Sequence, residues 1–501
     1  MSTIRKQSIL STIVIYIGFG VGLLNTYLFA RKGIFLDNQF GIYNAFIAIA
    51  TIMMAFSNLG IPTYINKFYP YYKHHLPNEK NDQLGISILI GAAGTILLLI
   101  VGTFGKSIFI RKYSGNSPEI INYYFWIFPL AIGLLLFNIL EAYAWQLRKS
   151  VLTNLLREGV WRFYTLILIL LFASGVLSGF DLFIKLFAFS YPFIAICLLG
   201  YLMWIGEFHL SFKISNVTEK FKARIFKLCS FVYSGSLVFT IALMFDSILI
   251  GSVLQNGMAQ LAVYSLAQSL SAMIQVPQRG IVAASMGPLS KAWREKNLDL
   301  IQTIYKRSSI NQLLFAIGIF SLIVLNLKDA VHSFQLKETY LLAITPIVFL
   351  GLTKIVDMGT GVNSQIIATS VFWRFEMISG MILLCIMLPF SYFMTKYAGI
   401  NGTAIAQLVS ISIYNLIRMI FLWNKFKLSP FTKHTVSAIA FGGITLAITY
   451  FLFKDLHRIT GITFRSLFFM AIYATGIIAL KISPDIQPVW NTIKNRLGIS
   501  K

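Results

Sequence analysis

The 501-residue sequence is poor in charged residues and in cysteine. Charged residues make up 12% of the chain, whereas a soluble protein has ~25%. No polar stretch is long enough to fold as a soluble domain, which excludes a soluble enzyme held by one membrane anchor. The three cysteines, Cys197, Cys229 and Cys385, are too few for a disulfide scaffold, a zinc ribbon or a CxxC redox site.

Acidic residues are scarcer than basic ones. The chain has 42 Lys and Arg but only 18 Asp and Glu, which gives a net charge of +24. In a soluble protein this excess would indicate nucleic-acid binding. Here 57% of the residues are hydrophobic and the mean hydropathy is +0.73. In such an apolar chain the basic excess indicates cytoplasmic loops rich in Lys and Arg, so we expect a lipid bilayer and no nucleic acid as partner.

Long apolar runs fill most of the sequence. A transmembrane helix needs roughly 20 mostly apolar residues, and about fourteen such segments are present. They lie near 9–30, 41–65, 85–104, 121–146, 159–178, 182–205, 228–251, 259–286, 309–328, 340–365, 371–395, 403–424, 434–453 and 463–481. The sequence therefore predicts an all-α polytopic membrane protein.

The loops between these segments predict orientation and limit function. Lys and Arg are more than twice as frequent in the loops and tails on the side of the N-terminus. This bias predicts a bacterial inner-membrane protein with both termini in the cytoplasm. The longest loops have only about 20 residues, which leaves no room for a catalytic domain outside the membrane. We therefore expect a transporter or chemistry inside the bilayer.

Residues of the first two segments recur in segments seven and eight. Asn25–Leu28 aligns with Asp246–Leu249, and Tyr43 aligns with Tyr264. Chance similarity among apolar helices is the alternative to a true repeat. Parallel repeats are typical of transporters whose substrate site lies between the halves. The predicted organisation is an N-terminal six-helix lobe 1–205, a cytoplasmic linker 206–227, a C-terminal six-helix lobe 228–424, and 425–501 with two further helices and a cytoplasmic tail.

Two short motifs carry a family resemblance. Leu36–Asn44 contains a Gly-x-Tyr-Asn string at the start of the second segment, and Tyr264–Ser290 contains Pro277 and Pro288-Leu289-Ser290. With the predicted architecture, these motifs resemble the MOP exporter superfamily. The chain looks most like its Wzx-type flippases of polysaccharide biosynthesis, while the lipid II flippase, also with fourteen helices, is a further relative.

The resemblance implies a substrate and a mechanism. The substrate would be an undecaprenyl-diphosphate-linked oligosaccharide, moved to the outer leaflet for O-antigen, capsule or exopolysaccharide synthesis. Alternating access between the lobes would move it, with a basic cavity for the diphosphate and the polyprenyl chain in lipid along the last two helices. Polysaccharide polymerase and glycosyltransferases of the same pathway would be partners. No catalytic residue or cofactor is implied, although proton or sodium coupling is.

Charged residues within the predicted spans are the candidate site, because a charge inside the bilayer needs a partner, a cavity or a function. Arg279 follows Pro277 in a helix that we expect to be kinked, and its guanidinium fork suits a diphosphate. The alternative is an ion pair with Asp246 or Glu141. Lys354 and Asp357 lie one turn apart. They form either a neutral pair or a gate that opens when phosphate competes for Lys354.

Further polar residues have open roles. Asp246, aligned with the neutral Asn25, is either a proton or sodium site or an interfacial helix cap. Arg374 and Arg418 would attract an anionic headgroup if they face the cavity, and Arg31 could receive phosphate on the outer side. For each of these, and for Glu141, an anchor at the interface is the alternative. The same sequence criteria predict interfacial positions for Arg157, Glu158 and Arg162. The glycines Gly18, Gly20 and Gly22 indicate close helix packing or a hinge.

Two other functions are weaker. An ion-coupled multidrug exporter of the MATE type needs acidic groups in its cavity, and few lie within the spans. A polysaccharide polymerase or ligase needs catalytic groups on a sizeable outer loop, and none is present. The sequence has no Walker motif for ATP hydrolysis and no metal-ligand pattern.

Overall fold

The computed structural model describes residues 2–485, which form helices and no β-strand. The predicted tail beyond Asp485 lies outside the described residues. In chain order the helices are α1 Ser2–Ala30, α2 Asp37–Ser57, α3 Ile61–His75, α4 Gln83–Tyr113, α5 Ile127–Gln146, α6 Ser150–Asn154, α7 Trp161–Ala173, α8 Phe180–Ala188, α9 Ser190–Trp204, α10 Asn216–Val253, α11 Gly257–Ile274, α12 Val276–Arg294, α13 Leu298–Ser333, α14 Ile344–Gly359, α15 Asn363–Thr369, α16 Trp373–Phe426, α17 Lys433–Leu452 and α18 Arg458–Ala479.

Among the described residues, 11 helices are long and apolar enough to cross a membrane. The chain is therefore a multi-pass helical membrane protein, as predicted. The helix α16 has 54 residues with a break at Ala398 and Gly399, and it covers two predicted spans. The predicted spans 159–178 and 259–286 are not among the 11. Helix α7 has only 13 residues, and 259–286 is divided between α11 and α12. The count of fourteen stays a prediction.

Three breaks interrupt the predicted spans. A π-helical segment, Leu155–Val160, separates α6 from α7 and leaves α7 with 13 residues. Helix α11 ends before Gln275, and Pro277 lies in the first turn of α12, where its missing N–H breaks no helical hydrogen bond. The predicted span 41–65 ends early, because Leu59 and Gly60 have φ of 49° and 80°.

The described chain forms two compact units, Met1–Ala262 and Val263–Lys501. The first unit contains α1 to α10 and the start of α11. The predicted division placed α10 at the start of the C-terminal lobe, whereas here α10 packs against α2 and α3 of the first unit. The division into lobes 1–205 and 228–424 stays a prediction about the repeat.

Each unit has its own core. In the first unit α5 packs between α2 and α9, and its core includes Tyr64, Phe137 and Leu198. In the second unit α14 packs on α16, and α13 packs on α17 and α18. The last helix, α18, is joined to α13 by a hydrogen bond of 2.9 Å from Tyr473 Oη to the carbonyl oxygen of Leu314 and by a buried Arg465–Asp329 ion pair.

Candidate functional site

The first unit holds a row of four alternating charges. Arg157 Nη1 donates to Glu141 Oε2 at 3.0 Å, and Arg157 Nε lies 3.7 Å from Glu158 Oε1. Arg162 Nη2 donates to Glu158 Oε2 at 2.7 Å. Glu141 comes from α5, Arg157 and Glu158 from the π-helical segment, and Arg162 from α7. We call these four residues the charge row.

The local backbone explains how these side chains meet. A π-helical turn inserts an extra residue into a helix and is frequent at functional sites. Two glycines of α1 allow the backbone of this helix to lie against the segment. A Cβ added at Gly18 would lie 2.2 Å from the Glu158 carbonyl oxygen, and one at Gly22 would lie 2.9 Å from Arg162 Nη1. Gly20 faces open space, so two of the three glycines serve close packing.

Two sequence-predicted residues belong to this region. Asn25 Nδ2 donates to the backbone oxygen of Arg162 at 3.0 Å, which joins α1 to α7 beside the charge row. The buried partner of Glu141 is Arg157 of its own unit, and not Arg279 as one alternative had it. The prediction of interfacial positions for Arg157, Glu158 and Arg162 did not include the ion pairs that these residues form. Their i,i+4 spacing was a visible signal for the Glu158–Arg162 pair.

Asp246 also lies in the first unit. It is 3% exposed and sits on α10, which continues to Val253. A residue two turns before the helix end does not cap it, so Asp246 is not the cap of α10, while its position near the interface stays a prediction. The structure thus keeps Asp246 as a buried carboxylate in a membrane helix.

The second unit holds a carboxylate surrounded by amides. Asp357 Oδ2 accepts from Gln275 Nε2 at 3.1 Å and from Gln278 Nε2 at 3.3 Å. Its Oδ1 accepts from Asn415 Nδ2 at 3.1 Å. Lys354 makes no direct ion-pair contact with a described residue, although Asp357, one turn away, attracts it electrostatically. The amides of the neighbouring helices occupy the carboxylate instead.

Arg418 is held by α16 itself. Its guanidinium forms an ion pair with Glu376, lies 3.6 Å from the Tyr414 ring centroid, and is almost fully buried. Glu376 also accepts from Ser364 Oγ at 2.7 Å. Arg418 is therefore an internal structural cation in this state, rather than one that reaches the interface.

The other predicted cations are more accessible. Arg279 on α12 is exposed, and Arg374 is exposed with its guanidinium 5.5 Å from the Trp373 ring centroid. Arg31 follows the end of α1 and is partly exposed. No hydrogen bond or ion pair in residues 263–485 joins Arg279, Lys354 and Arg374 to one another. Residues 2–485 contain no group of three or more His, Cys, Asp and Glu side chains that could hold a metal ion.

Comparisons with known proteins agree with this architecture. A family model described as polysaccharide biosynthesis protein matches residues 4–293. No curated protein matches the chain. A solved structure of the lipid II flippase MurJ in an inward closed conformation is 15% identical, with a TM-score of 0.72 over 93% of this chain and 97% of that one.

A second solved structure is an inward-facing multidrug resistance MATE family transporter of the MOP superfamily. It is 14% identical, with a TM-score of 0.64 over 86% of this chain and 99% of that one. At these identities the similarity concerns the fold. The chain belongs to the polysaccharide biosynthesis protein family and has the fold of the MOP superfamily transporters.

Proposed function

We propose that this protein is a Wzx-type flippase for surface-polysaccharide synthesis, and that it is not an enzyme. It would move an undecaprenyl-diphosphate-linked oligosaccharide from the cytoplasmic to the outer leaflet by alternating access. It would lie in the bacterial inner membrane with both termini in the cytoplasm. Polysaccharide polymerase and glycosyltransferases of the same pathway would be its partners.

The observation that carries this proposal is the presence of cations that lack a direct ion-pair contact on the helices of a polysaccharide-biosynthesis family member. Lys354 lies within α14 and makes no ion pair with a described residue, and Arg279 is exposed on α12. A cation within a membrane segment costs several kcal/mol unless it faces a cavity or a partner. A diphosphate supplies such a partner through charge-assisted hydrogen bonds.

The remaining predicted residues take supporting roles. Arg374 would attract the anionic headgroup on the cytoplasmic side of the membrane, and Arg31 would receive it on the outer side. Arg418 would hold Glu376 in place, because its guanidinium is already engaged there. Asp357, Asp246, Glu141 and Asn25 are the candidates for a gate or for proton or sodium coupling. Of these, Asp357 receives three amide hydrogen bonds, so a cation there would have to compete with or rearrange its donors.

The test uses cells that lack this protein. An impermeant sugar-oxidising reagent reports which leaflet holds the undecaprenyl-linked oligosaccharide. We expect the lipid to accumulate in the cytoplasmic leaflet, and Arg279→Ala and Lys354→Ala to reproduce this at normal protein levels. The exposed Lys112 of α4 makes no ion pair in the described first unit, and Lys112→Ala is the matched control. Normal arrival of the lipid in the outer leaflet would contradict the proposal.

The second candidate is an ion-coupled multidrug exporter. Its support is the fold shared with MATE family transporters and the membrane carboxylate Asp357. Loss of resistance to cationic drugs in the deletion strain, with normal polysaccharide, would favour it. Donor lipid that reaches the outer leaflet but stays unpolymerised would indicate a polymerase or ligase instead.

A further inference from the structure

We infer that Arg157 and Arg162 form an anion subsite for one phosphate group of the diphosphate, and that the Glu158 carboxylate occupies this subsite until substrate displaces it. The inference rests on the proposed function, because it names the chemical group that the site would take.

The geometry of Glu158 is that of a bridging anion. Its Oε2 accepts from Arg162 Nη2 at 2.7 Å, and its Oε1 lies 3.7 Å from Arg157 Nε. One carboxylate thus places one oxygen towards each guanidinium. A phosphate group can do the same, and it offers more oxygens and more negative charge. Two arginines that share one oxyanion are the arrangement that proteins use for phosphate recognition.

The bridge is looser at Arg157 than at Arg162. At 3.7 Å the Arg157–Glu158 contact is an ion pair but too long for a hydrogen bond. Among the described residues the Arg157 guanidinium hydrogen-bonds only to Glu141, and 38% of its side chain is exposed. A guanidinium has five N–H donors. Arg157 therefore has donors left for an incoming oxyanion without first breaking its bond to Glu141.

The two arginines are fixed in place by their surroundings. Glu141, whose side chain is 4% exposed, holds Arg157 from α5. Gly22 of α1 leaves room for the Arg162 guanidinium, and Asn25 bonds the Arg162 backbone. A flexible anchor at the interface would need neither the π-helical turn nor these glycines. The cations are therefore held in position before a ligand arrives, which lowers the entropic cost of binding.

The glutamates explain how the site persists without substrate. An unpaired arginine inside the bilayer would cost several kcal/mol, whereas the charge row has two positive and two negative groups and is neutral. Glu158 is 20% exposed in its side chain and can turn outward when a stronger anion replaces it. This arrangement predicts that Glu158 competes with the substrate.

Competition between Glu158 and the substrate can be tested, because a purely structural ion pair would not make binding tighter when Glu158 is removed. The full-length protein in nanodiscs is titrated with farnesyl diphosphate, and binding is followed by microscale thermophoresis. We expect Arg157→Gln and Arg162→Gln to weaken binding about tenfold or more, since each removes a charge-assisted hydrogen bond. We expect Glu158→Gln to tighten binding several-fold, because it removes the competing anion.

Controls come from the same unit. Lys185 and Asp181 on α8 form an exposed i,i+4 pair at 2.6 Å, and Lys185→Gln and Asp181→Asn should leave binding unchanged. Weaker or unchanged binding in folded Glu158→Gln would overturn the inference. If Glu158→Gln does not insert, Glu158→Asp keeps the charge but is too short to reach both arginines, and it should also tighten binding.

The outcome can be separated from that of the proposed function. If the arginine variants bind farnesyl diphosphate like wild type while deletion cells still trap the lipid inside, the subsite is wrong and the flippase stands. If binding depends on both arginines but deletion cells deliver the lipid to the outer leaflet, the subsite stands and the flippase function fails.

Discussion

At the residue scale, Gly41 shows why the Gly-x-Tyr-Asn motif has a glycine. A Cβ added there would lie 1.7 Å from the Met258 carbonyl oxygen, so the start of α11 lies directly on the α2 backbone. Two residues later, the Tyr43 ring packs 4.6 Å from the Phe29 ring centroid and 4.7 Å from that of Phe187. The motif therefore joins a close backbone contact to a packed aromatic residue.

We expect Gly41→Ala to lower the unfolding temperature of the detergent-solubilised protein by several degrees, because the backbone of α11 must move away. Gly20→Ala on α1 is the matched control, since a Cβ there meets open space. In a helix that change is expected to stabilise by about 0.4–1 kcal/mol. Equal unfolding temperatures for the two variants would contradict the packing argument.

The buried Arg465–Asp329 pair gives a second prediction at this scale. Both side chains are nearly buried, and Asp329 Oδ1 also accepts from the Arg458 backbone at 2.9 Å. Removing one partner of a buried pair costs about 3–5 kcal/mol, because the other charge is left uncompensated.

We therefore expect Arg465→Met to destabilise the protein strongly, and Arg465→Met combined with Asp329→Asn to recover part of the loss. A double-mutant cycle from denaturant unfolding measures the coupling between the two side chains. If the change in the free energy of unfolding of the double variant equals the sum of the changes in the two single variants, the two side chains are not coupled.

At the element scale, α10 is fastened to the first unit at both ends. Near its start, Asp82 Oδ2 accepts from the Ser215 backbone at 2.8 Å and from Thr218 Oγ1 at 2.7 Å. Tyr72 and Thr218 hydroxyl oxygens lie 2.6 Å apart, and burial raises the pKa of Tyr72, so its hydroxyl stays protonated at neutral pH. Near its end, Ser117 Oγ donates to the Gly251 carbonyl oxygen at 2.8 Å.

Loss of the Asp82 contacts should loosen the start of α10. The native Cys229 reports this, because it is buried where α10 meets Gly60. In a background of Cys197→Ser and Cys385→Ser, we expect Asp82→Ala to speed alkylation of Cys229 by N-ethylmaleimide about tenfold or more. Asp181→Ala, which removes an exposed carboxylate, is the control. Unchanged alkylation would mean that packing alone holds α10.

The sequence predicted the elements better than their interruptions. Apolar runs gave the helices and the two extra C-terminal ones, since twenty apolar residues have few other stable forms in a bilayer. The breaks at Gly60, at Gln275 and in Leu155–Val160 were missed or misplaced. They depend on backbone dihedrals and on neighbouring helices, which no single run of residues encodes.

The site was predicted as single residues but not as partners. The charges Glu141, Lys354 and Asp357 stood out because they interrupt apolar runs. Their hydrogen-bond partners did not stand out, because Arg157 reaches Glu141 and Asn415 reaches Asp357 from other helical segments. Arg157 and Arg162 were overlooked as ligands because basic residues near a span end are most often topology anchors.

At the scale of the whole molecule, both units pair arginines with carboxylates inside their own helical packing. The first unit does so in the charge row, and the second does so at Arg418–Glu376 and Arg465–Asp329 and also surrounds Asp357 with amide donors. The net charge of +24 therefore resides mainly outside these clusters, in the loops and tails.

That loop charge predicts the orientation of the chain. A C-terminal green fluorescent protein fusion should fluoresce, and a C-terminal alkaline phosphatase fusion should be inactive, because Lys and Arg retain loops in the cytoplasm. N-terminal fusions should behave in the same way if the number of spans is even. An active C-terminal phosphatase would contradict the predicted orientation, and together with a cytoplasmic N-terminus it would also contradict an even number of spans.

The Glu158–Arg162 bond has a consequence for biosynthesis. Because its members are one turn apart, the pair can close within a single nascent segment, before that segment packs against α1 or α5. An unpaired arginine raises the free-energy cost of releasing a segment from the translocon into lipid. The segment 150–173 carries Arg157, Glu158 and Arg162, so Glu158 offsets one of its two positive charges and lowers the cost of its insertion.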